Sequence, residues 1–61
     1  MRDEWTRKLP DGRLVTYASD VERGRGGQIS ATVSGRTKIL EMEDAPTREE
    51  VEEHFEIMGF A

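Results

Sequence analysis

Apolar and polar residues alternate along most of this chain, and after about residue 46 the period lengthens to that of a helix. The first alternating run, "WTRKL" from Trp5, leads into "LPDGR", which supplies Pro, Asp and Gly in the order that a type I turn closed by a left-handed glycine requires. With Gly12 as the bulge residue, Leu9 faces Arg13, Arg7 faces Val15 and Trp5 faces Tyr17. Trp5, Leu9, Val15 and Tyr17 then share one side of a hairpin, and Thr6, Lys8, Leu14 and Thr16 share the other. The first set is the predicted core face.

The second strand is expected over residues 13–21. The third, "QISATVS" (28–34), turns Ile29, Ala31 and Val33 inward and Ser30, Thr32 and Ser34 outward. "SGR" reverses the chain into a fourth strand, "TKILEME". A two-residue Ser34-Gly35 turn puts Leu40 on the core side, and a three-residue turn puts Ile39 there. The sequence leaves both registers open.

The segment "DAPTREEVEEHFEIMGFA" carries helix signals at both ends. Thr47 followed three residues later by Glu50 is a capping box, and Glu49 and Glu50 lie where the helix dipole favours negative charge. Val51, Phe55 and Met58 fall on one stripe, with Glu52, Glu53 and Glu56 pointing away. Gly59 suits the left-handed position past the helix end, from which Phe60 would fold back onto Phe55. The predicted architecture is α+β: an antiparallel four-stranded β-meander with one C-terminal α-helix packed on one face, ββββα, forming a single small domain over residues 1–61. One face of the sheet is left without cover.

Composition sharpens this picture in two ways. A chain of 61 residues buries only about 60% of the surface that its unfolded form exposes, and with no cysteine it has no disulfide to compensate. Self-association or one tightly packed core must supply the stability. Charge is also unevenly divided. Residues 1–40 hold eight Arg/Lys against five Asp/Glu, a balance of +3; residues 41–61 hold Arg48 against eight acids, a balance of −7, giving −4 in all. Partners of either sign are therefore conceivable. No apolar run approaches the ~20 residues of a membrane span, and "MRDEWTRKL" lacks a signal peptide's apolar core. The expectation is a cytoplasmic protein without membrane partners.

Residues equipped for chemistry are few. The single histidine, His54, has no partner at catalytic or metal-ligand spacing and is read as a boundary residue packing against the sheet. Glu41, Glu43 and Asp44 lack the glycine-pivoted loop of a calcium site. No catalytic residue, metal or cofactor is expected. The tract "ERGRGGQ" lacks the Gly-Lys-Ser/Thr of a Walker loop, and strands flank it where a dinucleotide fingerprint needs its third glycine to open a helix. Its glycines read as a hairpin tip.

Two surfaces remain as candidates. Arg23, Arg25, Lys8 and Arg36 are candidate contacts for a nucleic acid or a partner. Glu49, Glu52, Glu53 and Glu56 form a candidate acidic surface for a basic partner. The reading that follows is a non-enzymatic protein-interaction domain. It works either as a homodimer or as an accessory or regulatory protein bound to a larger protein. The alternative is a nucleic-acid-contacting module that uses the Arg/Gly-rich loop and the uncovered sheet face.

Overall fold

The computed structural model describes residues 2–60. Strands β1 (Arg2–Lys8), β2 (Leu14–Glu22), β3 (Gly26–Val33) and β4 (Arg36–Met42) precede a helix, α1 (Arg48–Ile57). The strands form one open antiparallel sheet in the order β1-β2-β3-β4. This is the ββββα arrangement that the residue pattern predicts.

The first hairpin follows from local hydrogen bonds. Gly12 N–H donates to the Leu9 carbonyl (2.9 Å) and Leu9 N–H to that of Arg13 (2.7 Å), while Gly12 sits at φ 93°. That geometry is a type I turn followed by a bulge. It sets Trp5 opposite Tyr17 and Arg7 opposite Val15. The Asp11 carboxylate accepts from the Arg13 backbone and guanidinium (3.1 and 2.6 Å), and these bonds hold it below the ordinary carboxylate range.

At the third connection, Ser34 and Gly35 both have positive φ (51° and 77°), a two-residue turn of the kind that matches strand twist. Val33 therefore pairs with Arg36 and Ile29 with Leu40. Leu40 packs against the core, and Ile39 is 58% exposed on the opposite face. Ser34 belongs to this turn and not to β3 as its alternation had suggested.

The core lies between the sheet and α1. Val15, Tyr17, Ile29, Ala31, Val51 and Phe55 have no exposed surface, and Leu9, Val21 and Val33 complete the cluster. Burying each large side chain of this set contributes about 1.5–3 kcal/mol. Trp5, Leu40, Met42 and Phe60 pack at its margin, half-buried.

The helix ends are built as the residues predict. Thr47 Oγ1 accepts from Glu50 N–H (3.2 Å) and Glu50 Oε1 from Thr47 N–H (3.1 Å). At the other end Gly59 N–H bonds the Glu56 carbonyl and Phe60 N–H that of Phe55, the paired bonds of a Schellman motif. Phe60 thereby packs on Phe55, with ring centres 6.0 Å apart and planes tilted by 54°.

Two expectations for the helix are corrected. Met58 is the C-cap and is 45% exposed, because the reversing chain brings Phe60 to the place that Met58 would fill. His54 is exposed and does not pack on the sheet.

Candidate interaction surfaces

The glycine tract has a structural use that its sequence did not reveal. β2 runs on to Glu22 and β3 begins at Gly26, so only Arg23, Gly24 and Arg25 form the tip. A Cβ on Gly27 would meet the Asp20 carbonyl oxygen at 2.1 Å, and one on Gly26 would meet that of Met42 at 2.5 Å. Both approaches are far inside van der Waals contact, so the backbones of β2 and of the end of β4 can lie this close to β3 only because these positions have no side chain. Arg23 and Arg25 are exposed, and Arg25 lies 3.6 Å from Glu22.

The basic candidates divide between the two ends of the sheet. Arg23 and Arg25 follow the end of β2; Lys8 and Arg36 lie at the opposite end, beside Leu14 and Val33. The eight residue steps of β2 separate the two groups by about 26 Å. Lys8 is also on the uncovered face, whereas Arg36 is on the helix side, as the registers dictate. The fold does not gather these four residues into one patch.

The acidic set is divided by its partners. Glu52 does not point away from the sheet. Its carboxylate accepts from the Trp5 indole (2.9 Å) and from the Arg7 guanidinium (2.7 Å), and it is half-buried. The cause is Arg7, which shares the core-side face with Trp5 and Val15 and needs a counter-charge from whatever covers it. Glu49, Glu53 and Glu56 line a groove of about 490 Å³ with Arg7, Glu52 and the 76% exposed Ile57.

Arg48 escaped notice in the sequence. Its guanidinium sits 4.9 Å from the centre of the Trp5 ring and makes two 2.8 Å bonds to Asp3, so Trp5 is sandwiched between it and Tyr17, 5.3 Å away. The bonds from Arg48 hold the Asp3 carboxyl below its ordinary range. The Tyr17 hydroxyl is buried without a hydrogen-bond partner among the described residues, and burial pushes its pKa up.

The uncovered face has a distinctive layout once β4 is in register. Thr6, Thr16, Thr32 and Thr37 form one row across all four strands. The Thr32 and Thr37 hydroxyls are 2.9 Å apart and those of Thr6 and Thr16 are 3.5 Å apart. The next row reads Glu4, Ala18, Ser30, Ile39, and a shallow depression of about 190 Å³ opens over Ala18 and Ser30. Arg2, Glu4, Lys8, Asp20 and Glu41 stand around this uncharged centre. Leu14 on the same face is 60% exposed.

Among the described residues, no group of three His, Asp or Glu is placed to hold a metal ion, and no helix is long and apolar enough to cross a membrane. No family model, curated protein or solved structure matches the chain.

Proposed function

We propose that this chain is a small, non-enzymatic protein-interaction domain of the cytoplasm, and that the uncovered face of its sheet is the surface that docks. The observation behind this reading is the charge layout of that face. Its middle is Thr6, Thr16, Ala18, Ser30, Thr32, Thr37 and Ile39, with charges confined to the perimeter. Depletion of charge at the centre of a patch, inside a polar rim, is one compositional feature of protein interfaces. The partner is a larger protein or another copy of the chain. The separation of Arg23 and Arg25 from Lys8 and Arg36 weighs against the nucleic-acid alternative, which gains from clustered cations.

Affinity capture with three forms tests this reading: wild type, a Thr16→Lys/Ser30→Lys variant of the face, and an Arg23→Ala/Arg25→Ala variant of the tip. A protein retained by wild type and by the tip variant, and lost by the face variant while its circular dichroism is unchanged, is the expected result. Capture that ignores the face substitutions overturns the proposal. So does salt-sensitive oligonucleotide binding that disappears in the tip variant.

A further inference from the structure

α1 lies over the inner face of β1 and bonds its side chains, but the backbone edge of that strand points sideways and no described strand pairs with it. Leu9 N–H bonds the Arg13 carbonyl, so Leu9 and, at every second residue before it, Arg7, Trp5 and Asp3 exchange their backbone bonds with β2. The amides of Glu4, Thr6 and Lys8 are consequently turned outward. Unpaired edge amides of this kind are a template for another strand.

Beside this edge runs the groove lined by Arg7, Glu49, Glu52, Glu53, Glu56 and Ile57. Glu49, Glu53 and Glu56 are exposed and have no ion-pair partner among the described residues. A second feature ends in the same place. The Tyr17 side chain has no exposed surface, its hydroxyl has no hydrogen-bond partner among the described residues, and it feels the charges of Arg7, Glu52 and Glu56. All three line the groove, so an unmet hydroxyl lies at its floor.

The two sides of the edge differ in charge. On the helix side Asp3 is offset by Arg48 and Arg7 by Glu52, which leaves the three free carboxylates in excess. On the open side stand Arg2, Glu4, Thr6 and Lys8, with one cation in excess. Residues of an added strand point alternately to the two sides, so the matching strand is basic at its helix-side positions and uncharged at the others. Those positions recur about every 7 Å, and Glu49 and Glu56 lie about 10 Å apart along α1, within reach of two successive long side chains.

A second copy does not meet these terms. Antiparallel pairing of two β1 edges sets both helices on one side of the sheet with their acidic flanks face to face. β4 of another copy has Arg36 and Lys38 on its helix side, but joining it to β1 leaves edges free and propagates without closing.

We infer that the β1 edge takes up an extended basic segment of another protein, which adds antiparallel as a fifth strand. Its Lys or Arg side chains lie in the groove between Glu49 and Glu56, where one of them donates to the Tyr17 hydroxyl. This surface is separate from the open face.

A capped peptide of alternating Lys and Thr, titrated at low salt and read by Trp5 emission, tests the inference. Saturable binding is expected, with the amides of Glu4, Thr6 and Lys8 becoming protected from hydrogen exchange. Affinity should fall at least about tenfold in Glu49→Gln/Glu56→Gln and about threefold or more in Tyr17→Phe. Glu41→Gln/Glu43→Gln, the same charge change at the far edge, should leave it intact. The peptide N-methylated at its Thr residues, whose amides would face β1, should not bind.

Absence of saturable binding overturns the inference, as does binding that survives N-methylation or falls equally in the two Glu→Gln pairs. Affinity indifferent to Tyr17→Phe overturns it too, because the basic side chains would then lie outside the groove. Open-ended growth of wild type in sedimentation, abolished by Arg36→Glu/Lys38→Glu, would give the edge to β4 of another copy and overturn it as well.

Discussion

The sheet has two edge strands, and α1 treats them differently. Along β1 the inner face carries Asp3, Trp5 and Arg7, polar or amphipathic side chains that reach the helix and find Arg48 and Glu52 there. Along β4 the inner face carries Leu40 and Met42 at the core margin and exposed Arg36 and Lys38 beyond it. No side chain of β4 is hydrogen-bonded to α1 among the described residues; its cross-strand bond is Thr32 to Thr37. One edge has become a seam between sheet and helix, and the other has kept its groups free. A ten-residue helix cannot cover both, and the edge supplied with counter-charges is the one it closes.

The most severe test of that contrast removes packing under the helix. Phe55 has no exposed surface and touches both Tyr17 and Phe60 (6.2 and 6.0 Å between ring centres). Phe55→Ala should cost about 3–5 kcal/mol, a large share of the whole stability of a chain this short, so urea or thermal unfolding should find it mostly unfolded near room temperature. Leu40→Ala, at the half-buried margin on the β4 side, should cost about 2 kcal/mol and leave the chain folded. Equal losses would show that the two halves are held alike.

The next effect is that of the seam itself. Glu52→Ala leaves the Trp5 indole and the Arg7 guanidinium without their acceptor, and a lost pair of charge-assisted bonds of this kind costs about 1–2 kcal/mol. The figure stays at that level because the Arg7 side chain is 39% exposed and water screens it. The measurement is urea unfolding read by Trp5 emission, which should also shift as the indole loses its partner. A variant as stable as wild type would reduce the seam to a surface ornament.

What could be read from the residues follows the range of the forces involved. The first hairpin, the capping box and the Phe60 return are each fixed by bonds within about five residues, and Gly12, Thr47 with Glu50, and Gly59 announce them. The fourth strand depended on whether Ser34, a non-glycine residue, accepts a positive φ, which the sequence leaves undetermined. Glu52 was misjudged because its environment is set by β1, some 45 residues away. The hairpin register had already put Arg7 on the inner face beside Trp5, and that buried-side cation was the available signal for a carboxylate above it. The open face was legible in its first three strands, and Thr37 and Ile39 joined it only when the turn fixed β4. Gly26 and Gly27 read as turn residues because close backbone approach leaves no separate mark in a sequence.

The smallest effect separates the outermost part of the seam from the rest. In the folded state the Asp3 carboxyl titrates below its unfolded value because Arg48 donates to it. The pair therefore contributes stability that is present above the ordinary carboxylate pKa of about 3.9 and is lost as pH falls through the lower folded value. Both side chains are about half exposed, so the loss should scarcely move the melting temperature and should shrink further with salt. Trp5 nevertheless reports it, since Arg48 lies over the indole. In a Glu52→Gln background, which silences the other carboxylate beside the ring, acidification should change Trp5 emission below the ordinary carboxylate range. Asp3→Asn should flatten that transition. Asp11→Asn should leave it intact, although Asp11 is also held low, because Asp11 belongs to the distant hairpin turn and its partner is Arg13. A transition that survives Asp3→Asn would detach Arg48 from the Trp5 sandwich and shorten the seam to Glu52 alone.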